Sequence, residues 1–458
     1  MRMPWKGIFM SSNSPVLSKS QKQLRTNRMS YIMEAALEYF IDIMIKSTFI
    51  TALLMNIGVS QGDAGIITSL ASLGFTAQFF SVMFINPGNH VKRMSTVMHF
   101  INQLMFVIMY VIPGVNISSG MKMVIVAGLY LAGNLLHYTV FPFKFDWMMS
   151  YVEDKKRGVF TANKEIVSLL GGIIFSNIMG MIIDHYKAIG REDVGFIISA
   201  ITIFVLCILH LITLLVVKDP EGYQGVNYAH QKKMSVREIL GFTIFDKKVS
   251  KVIILDILWH IGTGISTAFF YIYAQQSMEI KVLTITIITA MSSLLRVLVS
   301  KLFGRIADNT SWANMLRISF CIGAVSFLIF AFANPANCFT LNLFGYEIRL
   351  NIFHTLYLLL HAVYMAGANS GMTNITFDYV SHENRRFALG IKSAIGGFIA
   401  FLATLAVRVF VDAYPDGVFK IFGTPIYTQQ ILSFGTFIIF ILIVFYIKQV
   451  IMKLKVVD

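Results

Sequence analysis

Apolar stretches of about 20 residues recur along the whole of this 458-residue chain, and that is the length a helix needs to cross a bilayer. Hydrocarbon offers no partner to a free amide, so each such run must satisfy its own backbone as a helix. Twelve spans are expected, near 31–55, 64–85, 94–112, 123–147, 158–183, 194–217, 250–274, 282–303, 313–333, 351–378, 388–410 and 429–447. Composition agrees, because only 14% of residues are charged where a soluble chain of this size carries roughly 25%. The first 30 residues are polar and basic, without a short apolar core and cleavage site. The first span is therefore expected to stay in place as a span rather than leave as a signal peptide.

The net charge of +14 invites a nucleic-acid reading, but its distribution points to membrane orientation. With the N-terminus in the cytoplasm, 28 Lys and Arg residues fall on the inner side, 6 on the outer side and 4 within spans, accounting for all 38. That asymmetry follows the positive-inside rule and puts both termini in the cytoplasm. The expected location is a multi-pass position in the plasma membrane of a bacterial cell, with lipid as the surrounding partner and no nucleic acid. After VVKDPEGYQG the segment 218–249 is polar and basic. The expected organisation is thus a basic N-terminal segment (1–30), a six-helix bundle (31–217), a cytoplasmic linker (218–249), a second six-helix bundle (250–447) and a tail (448–458).

The halves echo one another. YVEDKKRGVFTANKEIVSLLGG (151–172) follows the fourth span and YVSHENRRFALGIKSAIGG (379–397) follows the tenth. Each runs Tyr-Val, a basic turn, a helix start and a glycine pair. FINPGNHVKR (84–93) lies opposite FGRIADNTSW (303–312). Repeats six spans apart are typical of secondary transporters with a midplane site.

At GRIADNTSWANML (304–316) the chain resembles the major facilitator superfamily. Gly304, Arg305, Ala307 and Asp308 match that family's loop motif, whereas Asn309 to Trp312 lack its usual basic residues and Asn89 stands where the first-half copy would carry Asp. The fifth span, SLLGGIIFSNIMG, lacks the Gly-Pro pair of many family drug exporters. The resemblance covers essentially the whole chain. It implies an all-α integral membrane protein of two pseudo-symmetric six-helix bundles that works by alternating access. It also implies a gate in which Asp308 meets the start of the fifth span, near Arg157 to Thr161, with Asn89 facing the eleventh span more weakly.

No GxxxxGK[ST] loop is present to cradle ATP phosphates. Coupling energy must then come from an ion or solute gradient, with protons or Na⁺ as the ions. Cys207, Cys321 and Cys338 have neither disulfide nor metal-ligand spacing, and no cofactor is expected. The expected function is non-enzymatic, ion-coupled movement of a small-molecule substrate by a monomer. Alternatives are efflux of amphipathic or cationic compounds and a non-transporting sensor on the same fold.

The candidate site residues are the intramembrane charges. MEAALEYFIDIMIK (33–46) aligns Glu34, Glu38, Asp42 and Lys46 on one helical face. Counting from Tyr31, Asp42 lies about 16 Å in, near the midplane. One reading pairs Asp42 with Lys46 and leaves Glu34 as a cytoplasmic-end charge. The other makes Glu38 and Asp42 a proton or cation site, since Glu38 has no partner on its own helix. In the seventh span, LDILWH brings Asp256, Trp259 and His260 together, suited to proton relay or stacking. Arg296 in the eighth span is too deep to snorkel; it neutralises Glu38 or Asp256, or grips an anionic solute. Gln78, Asn134, His137, His361 and Asn369 read more readily as interhelical hydrogen bonds.

Overall fold

A computed structural model of the chain describes residues 19–153, 157–219, 235–343, 346–380, 385–421 and 423–454. The first expected span is made of two helices, α1 (Lys19–Ile45) and α2 (Ser47–Asn56), with extended backbone at Lys46 between them. There follow α3 (Gln61–Phe84), α4 (Val91–Val111), α5 (Ser119–Met149), α6 (Arg157–Ala188) and α7 (Glu192–Val216). Their starts are chemically marked: Ser60 and Ser118 accept hydrogen bonds from the first turns of α3 and α5. Glu192 and Asp193 place negative charge at the positive end of α7.

The linker contributes a short helix, α8 (Val236–Phe242), closed by a reciprocal capping box between Ser235 and Glu238. Ile239 of α8 packs with Phe79 of α3 and with Phe387 and Ile391 further along the chain, so the linker touches both halves. Residues 220–234 of the expected linker, and 1–18 of the expected N-terminal segment, lie outside the described residues. Within what is described, α1 begins at Lys19, well before the expected start near residue 31.

The second half repeats the first. Its opening span is again two helices, α9 (Val249–Gly264) and α10 (Thr267–Gln276), interrupted at Ile265 and Ser266. Then come α11 (Val282–Asn309), α12 (Trp312–Phe330), α13 (Ile352–Phe377), α14 (Arg385–Ala413) and α15 (Thr428–Gln449). Two antiparallel hairpins sit between helices: β1 (Cys338–Leu343) with β2 (Tyr346–Asn351), and β3 (Phe419–Ile421) with β4 (Thr424–Ile426). Neither hairpin follows from hydropathy, which reads such short segments only as polar gaps.

By length and apolar composition, ten helical spans among the described residues are fit to cross a membrane, not twelve. The two expected spans outside that set are α1 with α2, and α13. The first carries Glu34, Glu38 and Asp42 and breaks at Lys46, and the second carries His354, His361, Asn369 and Asn374. Polar residues inside a helix lower its hydropathy, and these two helical segments carry many of them.

Each half has its own apolar core. In the first, Met44, Phe49, Tyr110, Tyr130 and Phe196 are buried together. In the second the core is aromatic: Phe270 stacks on Phe330 at 3.7 Å between ring centroids, with Phe320, Phe327, Tyr364 and Phe440 around them. The outward faces are apolar as well, as Leu298 (72% exposed) and Val409 (69%) illustrate, which suits a surface in contact with lipid. The glycine pairs of the sequence repeat sit at close helix approaches, Gly397 against Ser72 and Phe75 of α3 and the other three against the first helix of their own half. A Cβ at Gly171 or Gly172 would strike Phe40 or Tyr39 of α1, and one at Gly396 would lie 2.6 Å from His260 and 2.7 Å from Asp256 of α9. The fifth and eleventh expected spans thus approach the first and seventh closely enough that no side chain fits between.

Candidate functional site

Four helices of the first half converge on a buried charge cluster. Lys144 of α5 donates to Glu34 Oε1 and to Glu38 Oε2 of α1, both at 2.6 Å. Glu34 and Lys144 are fully enclosed, at 1% and 3% exposure. His210 of α7 bonds Glu34 Oε1 through Nε2 at 3.1 Å, and the Gln103 amide of α4 donates to His210 Nδ1 at 3.2 Å. Since an amide nitrogen only donates, His210 accepts at Nδ1 and carries its proton at Nε2, directed at Glu34. His99 of α4 and His137 of α5 approach the other oxygen of Glu38, at 3.7 and 3.6 Å.

One sequence expectation changes here: Glu34 is a buried ion-pair partner, not simply a charge at the cytoplasmic end. Glu38 has no partner on its own helix and takes one from α5. The sequence reading does not single out Lys144, His99 or His210. The available signal was their solitude: a single Lys in FPFKFDWMM and single histidines in otherwise apolar helices.

Asp42 and Lys46 form the i,i+4 ion pair at 2.6 Å, and both line the space between the halves. A cavity of about 240 Å³ is bordered by Asp42 and Lys46 of α1 and the break after it, Ser176 of α6, Tyr271 of α10 and Ser293 of α11. A wider one of about 390 Å³ shares Tyr39, Asp42 and Ser293 and continues past Glu38, His137 and Lys164 to Arg296 and Ser300. Arg296 forms no ion pair with Glu38 or Asp256 and presents its side chain to this cavity.

The second half holds a smaller cluster. Asp256 is 2% exposed, with His260 Nδ1 at 3.3 Å and Lys392 Nζ of α14 at 3.7 Å. Lys392 also donates to the Met372 carbonyl at 2.6 Å; like Lys144, it is a buried helical residue. His260 lines a separate cavity of about 290 Å³ with Thr51 and Thr404. Tyr271 borders both this space and the first cavity. Trp259 donates its indole N–H to the Tyr364 hydroxyl and stands edge-on to Phe320, with its ring 5.1 Å from that of His260.

The halves meet firmly at one end. Asp184 of α6 accepts from the Val282 and Leu283 amides at the start of α11, at 3.2 and 2.7 Å. Asp412 of α14 accepts from the Gly62 amide at the start of α3, at 2.8 Å. These two contacts are pseudo-symmetric, each a carboxylate on a helix N-terminus where unpaired amides and the dipole favour it. Arg408–Asp63 at 2.5 Å and Gln429–Gln61 at 2.6 Å reinforce the second. At the opposite end Asp308 and Asn89 are exposed and make no hydrogen bond among the described residues, and Arg305 is exposed beside a half-buried Gly304. Arg157 opens α6, but its side chain lies outside the described residues. The wider cavity, lined by α1, α5, α6 and α11, runs along α11 from Ser293 to Ser300, in the direction of Asp308.

The profile of the Major Facilitator Superfamily matches residues 35–404. No curated protein sequence matches the chain. Among solved structures, the nucleoside transporter NupG superposes with a TM-score of 0.69 at 14% identity, covering 92% of this chain and 99% of that one. The D-xylose-proton symporter gives 0.65 at 10% identity, covering 93% and 97%. A bacterial homologue of the iron transporter ferroportin gives 0.65 in its inward-facing state and 0.57 in its outward-facing state, each at 12% identity, covering 94% and 93% of this chain and 99% of that one.

Proposed function

This chain belongs to the Major Facilitator Superfamily, and on that footing we propose that it is a secondary active transporter, not an enzyme, moving a small polar solute by alternating access with proton coupling. The observation that carries the reading is the charged cavity between the halves, set where the first span breaks at Lys46, with the pseudo-symmetric break of the second half bordering the neighbouring cavity and Tyr271 lining both. Interrupted spans at the repeat interface are where such proteins bind cargo and coupling ions. Solved structures that share the fold include those of nucleoside, sugar and peptide transporters, alongside the homologue of an iron transporter, and the first three support a small polar solute. With both termini cytoplasmic, as the charge count expects, the latched end faces outward and the cavity opens inward. The better superposition on an inward-facing chain than on its outward-facing form supports the same assignment.

Asp42 is the proposed coupling carboxylate and Arg296 the proposed contact for an anionic or hydrogen-bond-accepting group of the solute. Protonating Asp42 would release Lys46, the residue at which the first span is broken. Efflux of cations is the weaker reading, because Lys144 already engages Glu38 and the Arg296 and Lys164 side chains bring positive charge into the cavity. A thermal-shift screen of sugars, nucleosides, amino acids and peptides identifies a solute by the stabilisation that binding confers. In proteoliposomes Asp42→Asn is then expected to abolish gradient-driven accumulation of that solute while sparing counterflow. Equal loss of both activities would remove Asp42 from coupling, and a purified protein that moves no stabilising solute would remove the transport reading.

A further inference from the structure

We propose that Glu38, His99 and His137 form a binding site for a divalent first-row transition-metal ion, entered from the wider cavity. The three residues lie on α1, α4 and α5, and their candidate ligand atoms are all within 4.8 Å of one another. Glu38 Oε1 stands 3.7 Å from His99 Nδ1 and 3.6 Å from His137 Nδ1. Atoms that share an ion at about 2.0–2.2 Å sit at separations of this order.

The second observation is what these atoms lack. His99 is 0% exposed, yet neither of its ring nitrogens has a hydrogen-bond partner among the described residues, and nor has Glu38 Oε1. A buried polar atom left unpaired costs about 1–3 kcal/mol, so Glu38 Oε1 and His99 Nδ1, both orphaned and 3.7 Å apart, point to an absent occupant between them. The surroundings hold them in that pose. Lys144 grips Glu38 Oε2 and leaves Oε1 toward the histidines, while the two imidazoles meet edge to face at 89°. The neighbouring set of Glu34, Glu38 and His210 is less apt, since the His210 Nε2 proton and Lys144 already occupy Glu34 Oε1.

Charge and access fit a cation. Glu34, Glu38 and Lys144 together carry one net negative charge when the histidines are neutral, and a divalent ion reverses it to a single positive charge. Glu38 and His137 face the cavity, with His99 sealed behind them, so the remaining coordination positions of the ion would point into the opening. Arg296 lines the same cavity and opposes a loosely held cation, which makes direct coordination necessary. Two imidazole nitrogens and one carboxylate oxygen select iron, cobalt, nickel or zinc over magnesium and calcium, which prefer all-oxygen sites. The site goes beyond the proposed transport cycle, because it fills whether or not Asp42 couples to protons.

Titrating untagged purified protein with Co²⁺ tests this through the visible absorption of the bound ion. The expected result is saturation near one equivalent per chain, unaffected by excess Mg²⁺. His99→Gln and His137→Gln are each expected to weaken binding by at least about 10- to 100-fold, the range already seen for loss of a supporting residue. His361→Gln, a buried histidine of the other half, should leave it unchanged. X-ray absorption on the zinc-loaded unaltered protein needs no variant and should show imidazole scattering. No saturable Co²⁺ binding, binding that survives both histidine variants, or a zinc spectrum without imidazole would each overturn the proposal.

Discussion

Replacing Lys144 with methionine is expected to destabilise the protein by about 3–5 kcal/mol, the cost of breaking a buried ion cluster from one side. The effect is large because one ammonium serves two carboxylates at 2.6 Å. Without it, Glu34 retains only His210 as a close partner and Glu38 retains only histidines beyond 3.5 Å. The two carboxylates would also repel each other in a region of low dielectric. Removing the whole cluster should cost far less, since neutral groups of similar volume leave no stranded charge. The triple change Lys144→Met, Glu34→Gln and Glu38→Gln is therefore expected to melt closer to the unaltered protein than Lys144→Met alone. Thermal melting followed by detergent-solubilised monodispersity measures both. A Lys144→Met protein as stable as the parent would mean that the cluster is not a structural tie between α1 and α5.

The second large effect belongs to the latched end. Asp184→Ala and Asp412→Ala each remove a carboxylate from a helix N-terminus of the opposite half. In a partly buried setting such a contact contributes about 1–2 kcal/mol, so each change should shift the balance of states roughly tenfold. Together they should favour a form open at this end by about a hundredfold if the two sites act independently. Pseudo-symmetry makes the comparison informative: Asp184 accepts from two amides of the opposite helix and Asp412 from one, so Asp184→Ala should be the more damaging of the two. Spin labels on the loops after α2 and α10 would report the separation. An unchanged distance distribution in the double variant would show that apolar packing, not these carboxylates, closes the end.

The carboxylate-on-helix-end arrangement that the family resemblance suggests for Asp308 is realised at the other end of the molecule, by Asp184 and Asp412. Asp308 itself is exposed, as a disengaged latch at an open end would be. Nothing local in VFVDAY or MIIDHY distinguishes those two aspartates, because what defines them is the start of a helix in the opposite half. The same reason separates the legible from the illegible in the charge clusters. The Asp42–Lys46 pair could be read from a spacing of four on one helix. The partner of Glu38 could not, since Lys144 is 106 positions away and looks like a loop cation when counted by sign alone. The helical architecture and its two halves were readable because hydropathy and glycine pairs are properties of single segments. The placing of Asp256 beside Lys392, of His260 on a cavity wall and of Trp259 against Tyr364 was not, because those neighbours come from other helices.

Sidedness of the central cavity tests the account most directly. Ser293 of α11 borders both cavities, and in a protein whose Cys207, Cys321 and Cys338 have been replaced by alanine, Ser293→Cys gives one reactive thiol within the path. Sealed vesicles of each orientation would be treated with a membrane-impermeant thiol reagent. Labelling is expected from the cytoplasmic face alone in the unaltered gate, and from the outer face once Asp184 and Asp412 are replaced. Labelling from neither face in both proteins, or equal labelling from both faces regardless of the gate, would contradict a cavity that opens to one side at a time.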